Sequence, residues 1–250
     1  MWKMLYGSAT GTSHERVGQP CQDDAFVSVV NVDGRRTLIA ACSDGAGSAP
    51  HSGEGSRLAC SRMTQIISSD FDGGLRVSEI SRDHFVRWLQ RIRDEIQELA
   101  AGRDSVPRDF ACTLLTAIVD EKSAVFSQIG DGAIVIGIGD NYRPVFWPQS
   151  GEYANTTNFI TDSQFDQHLV YAADDESIDS LAVFTDGLQM LALCYADKTV
   201  HAPFFLPLFR VLRETENAED LVVPLRQFLT SKAVNDRTDD DKTLVLASRR

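Results

Sequence analysis

An α+β sandwich with helices outside its strands is the fold class that this sequence predicts. Three observations carry the prediction. Strand-like segments open the chain, two helical segments follow, strands return, and a helical third ends in one last strand; a doubly wound sheet would alternate more regularly. No repeat, low-complexity block or linker-like stretch divides the 250 residues, so a single domain over 1–250 is expected. The composition, 43% apolar and 24% charged, is that of an ordinary globular protein with enough chain to bury a core.

The elements follow in order. WKMLYGSAT, AFVSVVNV and RTLIAACSD read as strands, the last two joined across the turn pair Asp33-Gly34. GEGSRLACSRMTQIISSDF sets Leu58, Met63, Ile66 and Ile67 near one helical face. In the next helix Ile80, Phe85, Trp88, Leu89, Ile92, Ile96 and Leu99 follow the three- and four-residue spacing of one helical face, and the run stops at Gly102. ACTLLTAIVD, SAVFSQIGD, GAIVIGIGD and YRPVFWP return to strand. A polar stretch with aromatics, QSGEYANTTNFITDSQFD, predicts a long loop or flap at about 149–166. After DSLAVFTDG come the helical HAPFFLPLFRVLRE and AEDLVVPLRQFLTS, then the strand KTLVLAS.

Acidic residues outnumber basic ones 36 to 24, a formal charge of −12 that repels nucleic acid and anionic membrane. The five cysteines form no C-x-x-C pair, which speaks for reduced, mostly buried thiols rather than a zinc ribbon or a redox site. MWKMLYGSATG is too short and polar for a signal peptide, and no apolar run approaches the roughly 20 residues of a membrane span. The expectation is a soluble, cytoplasmic monomer.

Carboxylates sit repeatedly at strand ends. LIAACSDGAG ends at Asp44-Gly45, AVFSQIGDGA at Asp131-Gly132 and LAVFTDGL at Asp186-Gly187. RTDDDKTLVL begins a strand after Asp240-Asp241, and CQDDAFVSVV begins one after Asp23-Asp24. One Asp-Gly pair is a hairpin turn, as at Asp33-Gly34. Several at strand ends can converge on one rim of a sheet, where unpaired carboxylates repel and cost several kcal/mol apiece by order of magnitude. Divalent cations remove that penalty, and oxygen-only donors select hard ions, Mg²⁺ or Mn²⁺, over zinc. Two such ions held by shared aspartates acidify a bridging water and neutralise phosphoryl charge, a device for phosphate-ester hydrolysis.

CQDDAF, SDGAGS, ACTLLTA, IGDGA, FTDGL and DDDKTLVLA, in this order over Gly7 to Ala247, resemble the motifs of the metal-dependent protein phosphatases, the protein phosphatase 2C (PPM) family. GTSH, PCQD, GEYAN, FITD and RTDDDKTL resemble its small bacterial PphC-like branch in particular. The resemblance implies a four-layer α-β-β-α sandwich, two central sheets flanked by helices. It also implies dependence on Mn²⁺ or Mg²⁺, two ions and room for a third. The activity implied is hydrolysis of phosphoserine and phosphothreonine on proteins, with a cognate Ser/Thr kinase as a further partner. Carried over by position, Asp44 and the Gly45 carbonyl bind metal, joined by Asp186 and Asp240, with Asp23 acting directly or through a water. Asp131 with Asp186 holds the third ion. Asp44 and Asp240 thereby become catalytic through metal-bound water. Thr113 is assigned to packing, Asp241 to hydrogen bonding behind Asp240, and Asp239 to solvent.

The sequence also departs from the pattern. Gly18 replaces a phosphate-binding arginine, with Arg16 two residues away as the candidate substitute. Gln22 stands where some members carry a metal-binding glutamate, and Ala46 where some carry a histidine proposed as general acid. His14 is read as a phosphate contact or proton donor, against a histidine bonded to loop backbone; His51 is read as a surface-loop residue. In the flap, Tyr153, Asn155 and Asn158 are candidate substrate contacts. Two other readings remain open at this stage: a phosphatase-fold module that binds a phosphorylated partner with little turnover, and a hydrolase of small phosphoesters.

Overall fold

Residues Leu38 to Cys42 alternate between two different cores, and that alternation explains the architecture. Ile39 and Ala41 join one apolar cluster with Met63, Ile67, Phe85 and Trp88; Leu38, Ala40 and Cys42 join another with Ile134, Val183 and Val245. Strands buried on both faces carry near-continuous apolar runs rather than clean alternation, and they need cover on both sides.

The computed structural model describes residues 1–149 and 157–249. Its first half runs β1 (Lys3–Ala9), α1 (Thr12–Val17), β2 (Asp24–Val32), β3 (Arg35–Ser43), α2 (Ser52–Asp72), α3 (Arg82–Ala101), β4 (Leu114–Val119) and β5 (Ala124–Ile129). Then come β6 (Ala133–Ile138), β7 (Asn141–Pro144), α4 (Phe165–His168), β8 (Val170–Asp174), β9 (Ser180–Phe184) and α5 (Gln189–Ala192). The last elements are β10 (Leu193–Cys194), β11 (Thr199–Val200), α6 (Ala202–Glu214), α7 (Val222–Leu229), α8 (Lys232–Asn235) and β12 (Lys242–Ser248).

Two five-stranded antiparallel sheets result, ordered β2-β3-β4-β5-β8 and β1-β12-β9-β6-β7. Helices α2 and α3 cover the first, α6 and α7 the second. In β12, Leu244 and Leu246 face those outer helices while Val245 and Ala247 face the opposite sheet. The chain is therefore a four-layer α-β-β-α sandwich. Each fully buried Leu or Ile in these layers stabilises it by about 1.5–3 kcal/mol.

Four short features depart from the sequence expectation. Thr12–Val17 is helical, although its six residues bury nothing and offer no apolar stripe to read. Strand β8 follows the flap after the short helix α4 and pairs with β5, and the β10–β11 ribbon is only two residues deep. The second half of the expected flap is packed rather than open. Ile160 and Phe165 are buried, and Arg93 of α3 donates to the carbonyls of Ile160 and Asp162 and stacks 4.3 Å over the Phe165 ring.

With strand interiors filled, polar chemistry is left to strand ends. Asp44 directly follows β3, Asp131 lies between β5 and β6, and Asp186 follows β9 closely; Asp23 immediately precedes β2 and Asp240 lies just before β12.

Candidate metal centre

Asp44, Asp131 and Asp186 each offer a carboxylate oxygen, and the three oxygens lie within 4.8 Å of one another. Nothing basic offsets them: among the described residues no lysine or arginine is ion-paired with these three, with Asp23 or with Asp240. Burial, then the charges of Asp131, Asp240 and Asp23, push the Asp186 carboxyl up to about 8. Burial, then Asp23 and Asp186, raises Asp44 well above the carboxylate range. Burial also raises Asp131, opposed by a hydrogen bond from the Thr157 hydroxyl to Oδ2 at 2.6 Å. Asp23 is pushed to about 7, chiefly by burial, with a 2.7 Å hydrogen bond from the Thr185 hydroxyl opposing.

Carboxyl groups raised together in this way hold negative charge at a cost, which a cation relieves. Among the described residues, three buried side-chain oxygens, Asp23 Oδ1, Asp131 Oδ1 and Gln22 Oε1, have no hydrogen-bond partner. Buried polar atoms are rarely left so, and oxygen-only donors suit a hard divalent ion. The residues present fit such an ion.

Each ligand candidate is held by its own local device. Thr113, fully buried at the entry to β4, brackets Asp44: its hydroxyl accepts the Asp44 N–H at 2.9 Å and its N–H donates to the Asp44 carbonyl at 2.8 Å. The residue assigned to packing thus also sets the backbone of a site aspartate. Gly45 lies between the Gln22 carbonyl and Ser52 at the start of α2.

The Asp239–Asp241 stretch divides its three carboxylates. Asp239 is exposed, and its carbonyl accepts both the N–H and the hydroxyl of Ser13. Asp240 is exposed and its Oδ1 accepts the Asp241 N–H at 2.8 Å; it lies outside the convergent group of three, but its charge helps raise Asp131 and Asp186. Asp241, only 2% exposed, accepts the N–H groups of Gly11 and Gln22 at 2.6 Å each and His14 Nδ1 at 2.9 Å. A Cβ on Gly187 would stand 1.9 Å from the Asp241 carbonyl oxygen, and one on Gly11 2.3 Å from the Asp240 carbonyl carbon. Only glycines let this strand entry sit between the Asp186 turn and α1.

With Nδ1 committed to Asp241, His14 keeps Nε2, which lies 3.9 Å from where a Cβ on Gly47 would stand. Arg16 is exposed on α1 and Gly18 caps that helix in the left-handed region at φ 70°. An arginine at position 18 would be strained there. His51 stacks on Phe110 with ring centroids 5.0 Å apart, and its N–H donates to the Asp109 carbonyl, so it is packed rather than a free surface-loop residue. Tyr153 and Asn155 lie outside the described residues; Asn158 is in irregular backbone. A groove of about 880 Å³ adjoins the cluster, lined in part by Ala46, Ala49, Arg108, Thr157, Phe159 and Asp162.

Comparisons with known proteins bear on the family and the fold. The family model described as protein phosphatase 2C matches residues 10–229. Serine/threonine-protein phosphatase 3 of Escherichia coli (strain K12) is 37% identical over 250 residues, covering 98% of each chain. The crystal structure of a bacterial serine phosphatase superposes with a TM-score of 0.69 at 15% identity, covering 100% of this chain and 98% of that one. A serine/threonine phosphatase from Staphylococcus aureus gives 0.67 at 15% identity, covering 100% and 96%. These two likenesses concern the fold alone.

Proposed function

The chain belongs to the protein phosphatase 2C family, and from that premise we propose that it hydrolyses phosphoserine and phosphothreonine on proteins at the Asp44–Asp131–Asp186 cluster. It is a serine/threonine protein phosphatase, and phosphoproteins are its substrates. The observation that carries the assignment of the site is the convergence of three carboxylate oxygens within 4.8 Å, with no lysine or arginine paired to them among the described residues. Mn²⁺ or Mg²⁺ fits this donor set, as two ions with a third at Asp131; bound there, such ions supply an acidified water and neutralise phosphoryl charge.

The chain's own residues supply the rest. Asp44, Asp186, Asp240, Asp23 and the Gly45 carbonyl would hold the ions, with Asp131 closing the site. Thr113, Thr185 and Thr157 fix three of those aspartates, so little reorganisation accompanies reaction. His14, its Nδ1 occupied by Asp241, presents Nε2 to the phosphate or to the departing serine or threonine oxygen as a proton donor. The adjoining groove receives the peptide on either side of the phosphoresidue, with Arg108 as its basic wall; Arg16, exposed on α1, is the further candidate substrate contact. A Ser/Thr kinase acting on the same proteins completes the proposed setting.

The test is phosphate release from a phosphothreonine peptide with Mn²⁺, Mg²⁺ or EDTA, for wild type, Asp44→Ala and Asp240→Ala. Turnover that requires metal and falls by at least about a hundredfold in both variants, with folds intact, supports the reading. Undiminished turnover in EDTA, or in Asp44→Ala, overturns it.

A further inference from the structure

The turn that carries Asp131 is enclosed by glutamines. Gln128, fully buried in β5, donates from Nε2 to the carbonyls of Gly130 at 2.9 Å and Gly132 at 3.0 Å. Gln149 accepts the Gly130 N–H at 2.9 Å, and its own Nε2 donates to the His168 carbonyl at 2.7 Å. Gln189, one turn past Asp186, donates from Nε2 to the Asp131 carbonyl, and its Oε1 accepts the Tyr195 hydroxyl. Tyr195 in turn rests edge-on against Trp147, with ring centroids 5.2 Å apart.

Three side-chain amides therefore bond three successive carbonyls and one N–H of a single turn. The Asp131 side chain has one hydrogen-bonded oxygen, Oδ2, which accepts from Thr157, and one buried oxygen, Oδ1, without a partner among the described residues. A lysine or arginine could also hold such a turn, but its charge would pair with the carboxylate and compete with a cation. Amides fix the backbone and leave the negative charge intact. Gln189 also ties the Asp131 turn to the Asp186 turn, and so sets the spacing of two carboxylates in the cluster.

We propose that Gln128, Gln149 and Gln189 are positioning residues that pre-set Asp131 as a full member of the cation site, with Oδ1 held ready for the ion. This rests on the reading of the aspartate cluster as a cation site. Groups behind metal ligands typically change metal affinity about 10- to 100-fold when removed.

The experiment is a Mn²⁺ titration, following free ion by electron paramagnetic resonance, on wild type, Q149A, Q189A, D131A and the double variant D131A/Q189A. Unfolding midpoints of the metal-free proteins are measured alongside. Wild type that takes up no Mn²⁺ overturns the cation reading before any variant is compared. Otherwise, Q189A and Q149A are expected to weaken Mn²⁺ binding about tenfold or more, beyond what any accompanying loss of metal-free stability accounts for. The double variant is expected to bind no more weakly than D131A alone, because Gln189 acts through Asp131. Wild-type affinity in Q189A and Q149A, or losses that add in the double variant, overturns the proposal. A lower metal-free midpoint matching the affinity loss also overturns it, since the glutamines would then serve stability.

Discussion

The Asp131 turn and the Asp239–Asp241 stretch deliver carboxylates to the same rim by opposite means. The first is held from outside by neutral amides on its backbone, with its carboxylate left largely to itself. The second is held by one of its own carboxylates: Asp241 turns inward and collects two backbone N–H groups and a histidine, while Asp240 stays exposed and accepts the Asp241 N–H. A turn can be clamped by side chains that reach around it. A strand entry squeezed between Gly11 and Gly187 has no such room and must use a buried charge as its anchor. Neutral clamps are individually replaceable, whereas a buried charge gathers its partners into one dependent group.

Asp241→Ala breaks the anchored side and should have the largest effect. It leaves the N–H groups of Gly11 and Gln22 and the Nδ1 of His14 without their acceptor. At about 1–3 kcal/mol for each buried donor left unpaired, the loss should reach roughly 3 kcal/mol or more in urea unfolding. A loss under about 1 kcal/mol would mean that the anchor is dispensable.

The pH dependence of the metal-free protein sharpens the comparison. Asp23 and Asp186 titrate at about 7 and about 8 in the folded chain, against an ordinary value of 3.8. Between those limits the native state binds more protons than the unfolded state, so this stability is present in full below about pH 4 and is lost as pH rises through 7 to 8. In EDTA the unfolding midpoint should fall by several degrees between pH 5.5 and 8.5, with Mn²⁺ abolishing most of the fall. A midpoint that rises over that interval in EDTA would contradict the assigned burial.

His51→Ala should matter least. Its stack on Phe110 is worth about 0.5–1.5 kcal/mol, and turnover should stay within about twofold of wild type. His14→Ala, by contrast, should depress kcat well beyond that. Equal effects of the two on kcat would remove the distinction between a histidine aimed at the site and one that packs.

The residues show why some of this was legible in sequence. A doubly buried strand writes itself as a long apolar run, and an aspartate followed by glycine at its end marks both a charge and a sharp turn, so Asp44, Asp131 and Asp186 stand out. Thr185 was open to view beside Asp186. α1 was not, because TSHERV buries nothing and has no periodic face. β8 lay behind a polar stretch, where its pairing with β5 supplies what local composition lacks. The glutamines left no signal. An amide that bonds backbone 2 residues away, as Gln128 does to Gly130, or 58 away, as Gln189 does to Asp131, looks like any other glutamine until the chain is folded.

The register of β12 also bears on how the protein comes into being. It inserts between β1 and β9, and Lys3 pairs with Ser248 across nearly the whole sequence. During synthesis β1 waits, unpaired along that edge, until every other strand of its sheet has been made. The closure that seats β12 also brings Asp240 to the rim. Contacts so distant along the chain are slow to form. A chain in which β12 has not docked therefore leaves β1 without its strand partner and the proposed metal rim without Asp240.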